Sequence, residues 1–102
     1  MLSKTVTMAM NEADKYPTIV RVGVFGSHAR NEVCKESDLD VLIDYDSNSS
    51  LDYLDEMGGF MEDVEKLIPG KIDYVTWYGL MRSKNHEFRE EVLRDVIWVY
   101  ES

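Results

Sequence analysis

The stretch that decides the fold reads Ile19-Val20-Arg21-Val22-Gly23-Val24-Phe25-Gly26-Ser27-His28-Ala29-Arg30. After seven residues it resumes as Asp38-Leu39-Asp40-Val41-Leu42-Ile43-Asp44. The first part is a β-branched run ending in a glycine-serine turn. The second opens an apolar run with two carboxylates two positions apart. Residues two apart in a strand project to one face, so Asp38 and Asp40 stand side by side. Two carboxylates about 4 Å apart repel by roughly 4 kcal/mol at an effective dielectric of about 20. A divalent cation between them removes that cost, and the pair reads as a metal site.

The turn before the pair reads as a place for phosphate. Gly26 lets backbone approach a ligand closely. Ser27 offers a hydroxyl and an N–H at a helix start, where partial positive charge suits phosphate oxygens. Arg30, one turn along, can fork onto a phosphate. Taken singly, each feature also fits a bland reading: an ordinary turn, a solvated arginine, the solvent side of a strand. Asp73 shifts that balance, because it is an acid inside the apolar run Ile72-Asp73-Tyr74-Val75. An acid among residues expected to be buried needs a partner. If the two strands are neighbours, three carboxylates converge on hard cations. Two such ions about 4 Å apart would steady the attacking and leaving oxygens of an in-line displacement.

Working outward, residues 3–15 read as a helix with Val6, Met10 and Ala13 inward, ended by Tyr16-Pro17. Residues 19–25 are a strand, and Ser27 is placed to cap a short helix over 28–33. Residues 39–45 form a second strand. Leu39, Val41 and Ile43 make its apolar face, and Asp38, Asp40, Leu42 and Asp44 share the other. Ser49-Ser50-Leu51-Asp52 resembles a capping box. Leu51, Leu54, Met57, Met61, Val64 and Ile68 then follow helical spacing until Pro69-Gly70. Met57, Phe60 and Met61 beside Gly58-Gly59 read as core before partner surface. Residues 71–77 are a third strand with Asp73, Val75 and Trp77 on one face. Asn85 caps a helix over 86–95 with Phe88 and Val92 inward, and 97–100 is a last short strand. The alternation predicts an α/β (α+β) architecture, a small mixed sheet with helices packed on it.

The 102 residues fit a single domain, residues 1–102. Twenty acidic against eleven basic residues leave a net charge of −9. That argues against direct nucleic-acid binding, which needs a basic footprint. Cys34 is the only cysteine, so a reducing, cytoplasmic setting is expected and the thiol reads as a bystander. No signal peptide and no membrane span is expected. Trp77, Tyr78, Trp98 and Tyr100 are large for so small a core, and any that are exposed mark an interface. His28 can reach a phosphate, though a solvated loop histidine is the commoner case.

Gly26-Ser27, the gap, Asp38-x-Asp40 and the later strand acid Asp73 together resemble the DNA polymerase β-type nucleotidyltransferase superfamily. The tighter string Gly-Ser-His-Ala-Arg, then Ser-Asp-Leu-Asp-Val-Leu-Ile, is similar to its minimal branch, the MNT proteins. That resemblance implies the nucleotidyltransferase fold. It implies that Gly26, Ser27 and Arg30 hold the triphosphate of ATP. It also implies that Asp38, Asp40 and Asp73 are catalytic and bind Mg²⁺, two ions in all, with Asp73 drawing the proton from the attacking hydroxyl. The branch commonly has glycine after the arginine. This chain has Asn31, which tolerates left-handed backbone better than most residues.

Many minimal members pair with HEPN-domain toxins as antitoxins and resemble protein adenylyltransferases. The expected function is therefore Mg-dependent transfer of AMP from ATP to a protein hydroxyl, a tyrosine of a HEPN toxin. Two rivals stand beside it. One is a non-catalytic antitoxin that binds by contact, against which the clustered acids argue. The other is a small-molecule, aminoglycoside-like nucleotidyltransferase, for which there is little spare length. Self-association stays open.

Overall fold

The structure is a computed structural model and describes residues 2–33, 38–46, 48 and 53–102. Ser3 caps helix α1 (Lys4–Asn11) by accepting the Val6 amide at 3.1 Å. A 3-10 turn, Glu12–Lys15, continues it, so the expected helix over 3–15 divides in two. Val6, Ala9, Met10 and Ala13 are buried along it.

Four strands follow from the β-branched runs: β1 (Ile19–Phe25), β2 (Leu39–Tyr45), β3 (Ile72–Thr76) and β4 (Ile97–Glu101). They form one sheet in the order β3-β2-β1-β4. β1 pairs antiparallel with β2 and β4, while β2 pairs parallel with β3. The sheet is therefore mixed, as expected.

Period-two alternation gives this sheet two apolar faces. Val22, Val24, Leu39, Val41 and Ile43 pack with α1 and with α2 (Tyr53–Leu67), whose Met57, Phe60 and Val64 are buried. On the opposite face Phe25 and Leu42 pack with Leu80 of α3 (Trp77–Met81) and Val92 of α4 (His86–Asp95). Burying both faces of the sheet is what excludes water from its interior. Thr18 is the one buried polar residue among those described, and its N–H and hydroxyl both donate to Glu56 Oε1, at 2.9 and 2.7 Å.

Three local expectations are corrected. The helix expected over 28–33 does not form. Residues 26–31 are a run of turns, closed by Glu32 N–H donating to the Ser27 carbonyl (2.8 Å) and Asn31 N–H to the His28 carbonyl (3.4 Å). That bond pair around a left-handed residue, Asn31 at φ 59°, is a helix-terminating Schellman arrangement. The closure leaves a single turn in place of that helix. The third strand stops at Thr76, not at residue 77. The Thr76 hydroxyl accepts the Gly79 amide at 3.1 Å and so starts α3 at Trp77. Leu54, expected to face inward, is 62% exposed. At roughly 100° per residue it lies about 90° round from the stripe of Met57, Phe60 and Val64. The expected cap over 49–52, Leu51 and Cys34 lie outside the described residues.

Candidate functional site

The site forms where β1 ends and where β2 and β3 begin. Asp40 lies opposite Phe25 of β1 on one side and Asp73 of β3 on the other. Paired residues of adjacent strands show the same face, so the Asp40 and Asp73 carboxylates stand beside each other. Asp38 precedes β2 by one residue. Its Oδ2 lies 3.7 Å from Lys71 Nζ, and the side chain is 36% exposed. The sheet thus brings all three expected acids to one edge of one face. Among the described residues they are not drawn into a closed cluster of three or more cation ligands.

The electrostatics of Asp40 follow from that placement. Burial, then the charges of Asp73 and Asp38, push its carboxyl above the ordinary aspartate value, while His28 and Arg30 pull it back. Desolvation and like charges both disfavour the ionised form.

The Gly-Ser turn sits directly over Asp40. Gly26 has φ 72°, a conformation that L side chains resist. A Cβ placed there would fall 2.3 Å from Asp40 Oδ2, so glycine is required twice, by backbone and by contact. Arg30 is already engaged. Its Nη1 donates to Asp95 Oδ2 at 2.6 Å, and its Nε donates to Glu32 Oε2 at 3.1 Å.

Between the turn and α4 lies a cleft of about 290 Å³, near the small end of ligand sites. Its walls include Gly26, Ser27, Arg30 and Asp40 on one side, and Phe88, Glu91, Val92 and Asp95 on the other. The α4 residues were not singled out as site residues from sequence. Their signal was available, because positions 88, 91, 92 and 95 follow the i, i+3, i+4, i+7 stripe of one helix face. An acid on an inward stripe asks for a partner, and Asp95 has one in Arg30.

The expected aromatic residues are placed elsewhere. Trp77 and Trp98 hold the Arg21 guanidinium, whose Cζ lies 4.6 and 3.9 Å from their ring centres. Arg21 also donates to Asp44 Oδ2 at 2.9 Å. Asp44 is four residues along β2 from Asp40, about 13 Å away. Tyr78 is 54% exposed and carries Arg82 over its ring at 4.4 Å.

A sequence model of the nucleotidyltransferase domain matches residues 9–99, which contain every site residue above. The chain belongs to the nucleotidyltransferase domain family. Protein adenylyltransferase MntA of Thermococcus cleftensis is 32% identical to this nucleotidyltransferase over 78 residues, covering 76% of this chain and 72% of its own. A structure provisionally assigned to a minimal nucleotidyltransferase is 30% identical with a TM-score of 0.67. It covers 92% of this chain and 89% of that one. The fold also resembles a chain of the Shewanella oneidensis complex between a tri-AMPylated HEPN toxin and its MNT antitoxin. There the identity is 15% and the TM-score 0.53, over 93% of this chain and 71% of that chain. The chain is thus a nucleotidyltransferase of the minimal kind.

Proposed function

We propose that this nucleotidyltransferase transfers AMP from ATP to a hydroxyl of a HEPN-type protein, a tyrosine, and so acts as the antitoxin of a pair. The observation that carries the reading is the register that sets Asp40 against Asp73 beneath the left-handed Gly26. That arrangement is suited to in-line displacement and has no evident value to a surface that only binds. The names borne by the Thermococcus relative and the Shewanella complex support the acceptor class.

The donor set suits magnesium. Three carboxylate-bearing residues at one edge are hard oxygen ligands, and the Asp40 carboxyl, raised first by burial and then by the charges of Asp73 and Asp38, is one whose ionised form a cation would favour. Asp38, Asp40 and Asp73 would hold the metal, two ions in the superfamily pattern, which supplies charge neutralisation and polarises the reacting phosphate.

The chain's own residues do the rest. Gly26 and Ser27 present backbone N–H groups and a hydroxyl to the triphosphate, and Arg30 adds a cationic fork. Asp73 accepts the proton of the attacking hydroxyl. That oxygen forms a bond to the α-phosphorus, the bond from the α-phosphorus to the α–β bridging oxygen breaks, and pyrophosphate leaves with that electron pair. The setting is cytoplasmic, where ATP is available. No helix among the described residues is long and apolar enough to cross a membrane.

The test is the intact mass of a HEPN-domain partner after incubation with Mg-ATP and a substoichiometric amount of this enzyme. AMP-sized additions that vanish with Asp38→Asn are expected. A fully inhibited but unmodified partner, inhibited equally by Asp38→Asn, would replace this reading with the contact antitoxin.

A further inference from the structure

We propose that Asp95 is a positioning residue that aims the Arg30 guanidinium at the triphosphate, so that α4 and the Gly-Ser turn build the phosphate site together. The proposal rests on the adenylyl-transfer reading above.

Asp95 is the last residue of α4. The partial negative charge at a helix C-terminus disfavours a carboxylate there, so the position needs a compensating cation. Arg30 is that cation, across 65 positions of sequence and at 2.6 Å. The two partners of Arg30 are unequal. The Asp95 side chain is 10% exposed, whereas that of Glu32 is 65% exposed. A shielded partner holds a guanidinium far better than one that water screens. Arg94 Nε also reaches Asp95, at 3.5 Å, but on Oδ1, which leaves Oδ2 to Arg30.

The pairing leaves Arg30 able to work. Guanidinium has five N–H donors. Asp95 takes one at Nη1 and Glu32 takes the one at Nε, so among the described residues three are not taken, one on Nη1 and both on Nη2. The Arg30 charge is felt at Asp40, which places it within range of the acids. It also lines the cleft with Gly26 and Ser27. An arginine already held in one rotamer gives up less freedom on meeting phosphate than a loose one. Phe88 sets the helix against the sheet by an edge-on contact with Phe25, ring centres 6.2 Å apart, and so fixes where Asp95 stands.

The experiment is calorimetric binding of Mg-ATP to the whole chain, with apo melting curves as the folding control. The variants are Asp95→Asn, Arg30→Ala and the double substitution, with Asp95→Glu added because it keeps the charge and is the gentler change. Asp95→Asn should weaken binding about tenfold and Asp95→Glu by less. Arg30→Ala should weaken it at least tenfold. In the Arg30→Ala background, Asp95→Asn should add less than twofold, because Asp95 acts only through that arginine. A residue that merely supported the fold would show the same loss in both backgrounds, which overturns the proposal. So does wild-type affinity in Asp95→Asn, or tighter binding, which would make the pair a restraint on Arg30. If Arg30→Ala loses binding and Asp95→Asn does not, Asp95 alone is dismissed. Wild-type chain that binds no Mg-ATP removes the adenylyl-transfer reading, and this proposal with it.

Discussion

Replacing Gly26 with alanine tests how tightly the phosphate turn and the acid edge are built onto each other. At φ 72° an L residue costs about 1–2 kcal/mol. The added Cβ would fall 2.3 Å from Asp40 Oδ2 and 3.2 Å from its Cγ, so the Asp40 side chain must turn away. Displacing a side chain about 30° from its rotamer costs about 0.5–1.5 kcal/mol. Together the loss is about 1.5–3.5 kcal/mol. For a domain of this size, that lowers the melting temperature by about 7–16 °C. The two contributions separate in an Asp40→Ala background, where no carboxylate stands in the way. There Gly26→Ala should cost only the backbone part, leaving a coupling of about 1 kcal/mol. Thermal unfolding of the four proteins measures this. Gly26→Ala should also abolish the upward shift that Mg-ATP gives the wild-type melting temperature, since ligand binding to the folded state alone raises it. An unchanged melting temperature in Gly26→Ala, or an identical loss in both backgrounds, would refute the contact on which the site rests.

Asp40→Asn should stabilise the fold while transfer falls by several orders of magnitude. Because the Asp40 pKa is raised on folding, its stability contribution is present below the unfolded value and lost as pH rises through the folded one. The melting-temperature advantage of Asp40→Asn should therefore grow as pH rises above the ordinary aspartate value of about 3.9, and a constant difference would contradict the assignment. Asn31→Gly should be neutral or stabilising by a few tenths of a kcal/mol and Asn31→Val destabilising by about 1–2 kcal/mol, since residue 31 is left-handed. Equal urea midpoints for the two variants would argue against that closure. Arg21→Met removes the cation that lies over the Trp77 and Trp98 rings and should cost about 1–2 kcal/mol from two ring faces at about 0.5–1 each, besides its ion pair with Asp44. A urea midpoint equal to wild type would mean the ring contacts contribute nothing.

What the chain says by itself is what short-range periodicity can encode. β1 and β2 lie residue for residue where their apolar runs predict, and α4 lies between Asn85 and Asp95 as its cap and stripe predict. Period two alone puts Leu39, Val41 and Ile43 in the core and Asp38 and Asp40 on the other face. At two of the places where the expectation slipped, a single residue had overruled the local pattern. Asn31 closed a single turn in place of one helix, and the Thr76 hydroxyl started another. Neither is visible in hydrophobic spacing. The site itself needed the tertiary fold. Nothing in the sequence states that β3 pairs in parallel with β2 in the register that sets Asp73 against Asp40. Nor does it state that Gly26 closes over Asp40, or that Asp95 crosses 65 positions to meet Arg30. A residue's face is set by dihedral angles it shares with its neighbours. Its partner across the sheet is set by which surfaces bury together, and that is decided only when the whole core closes.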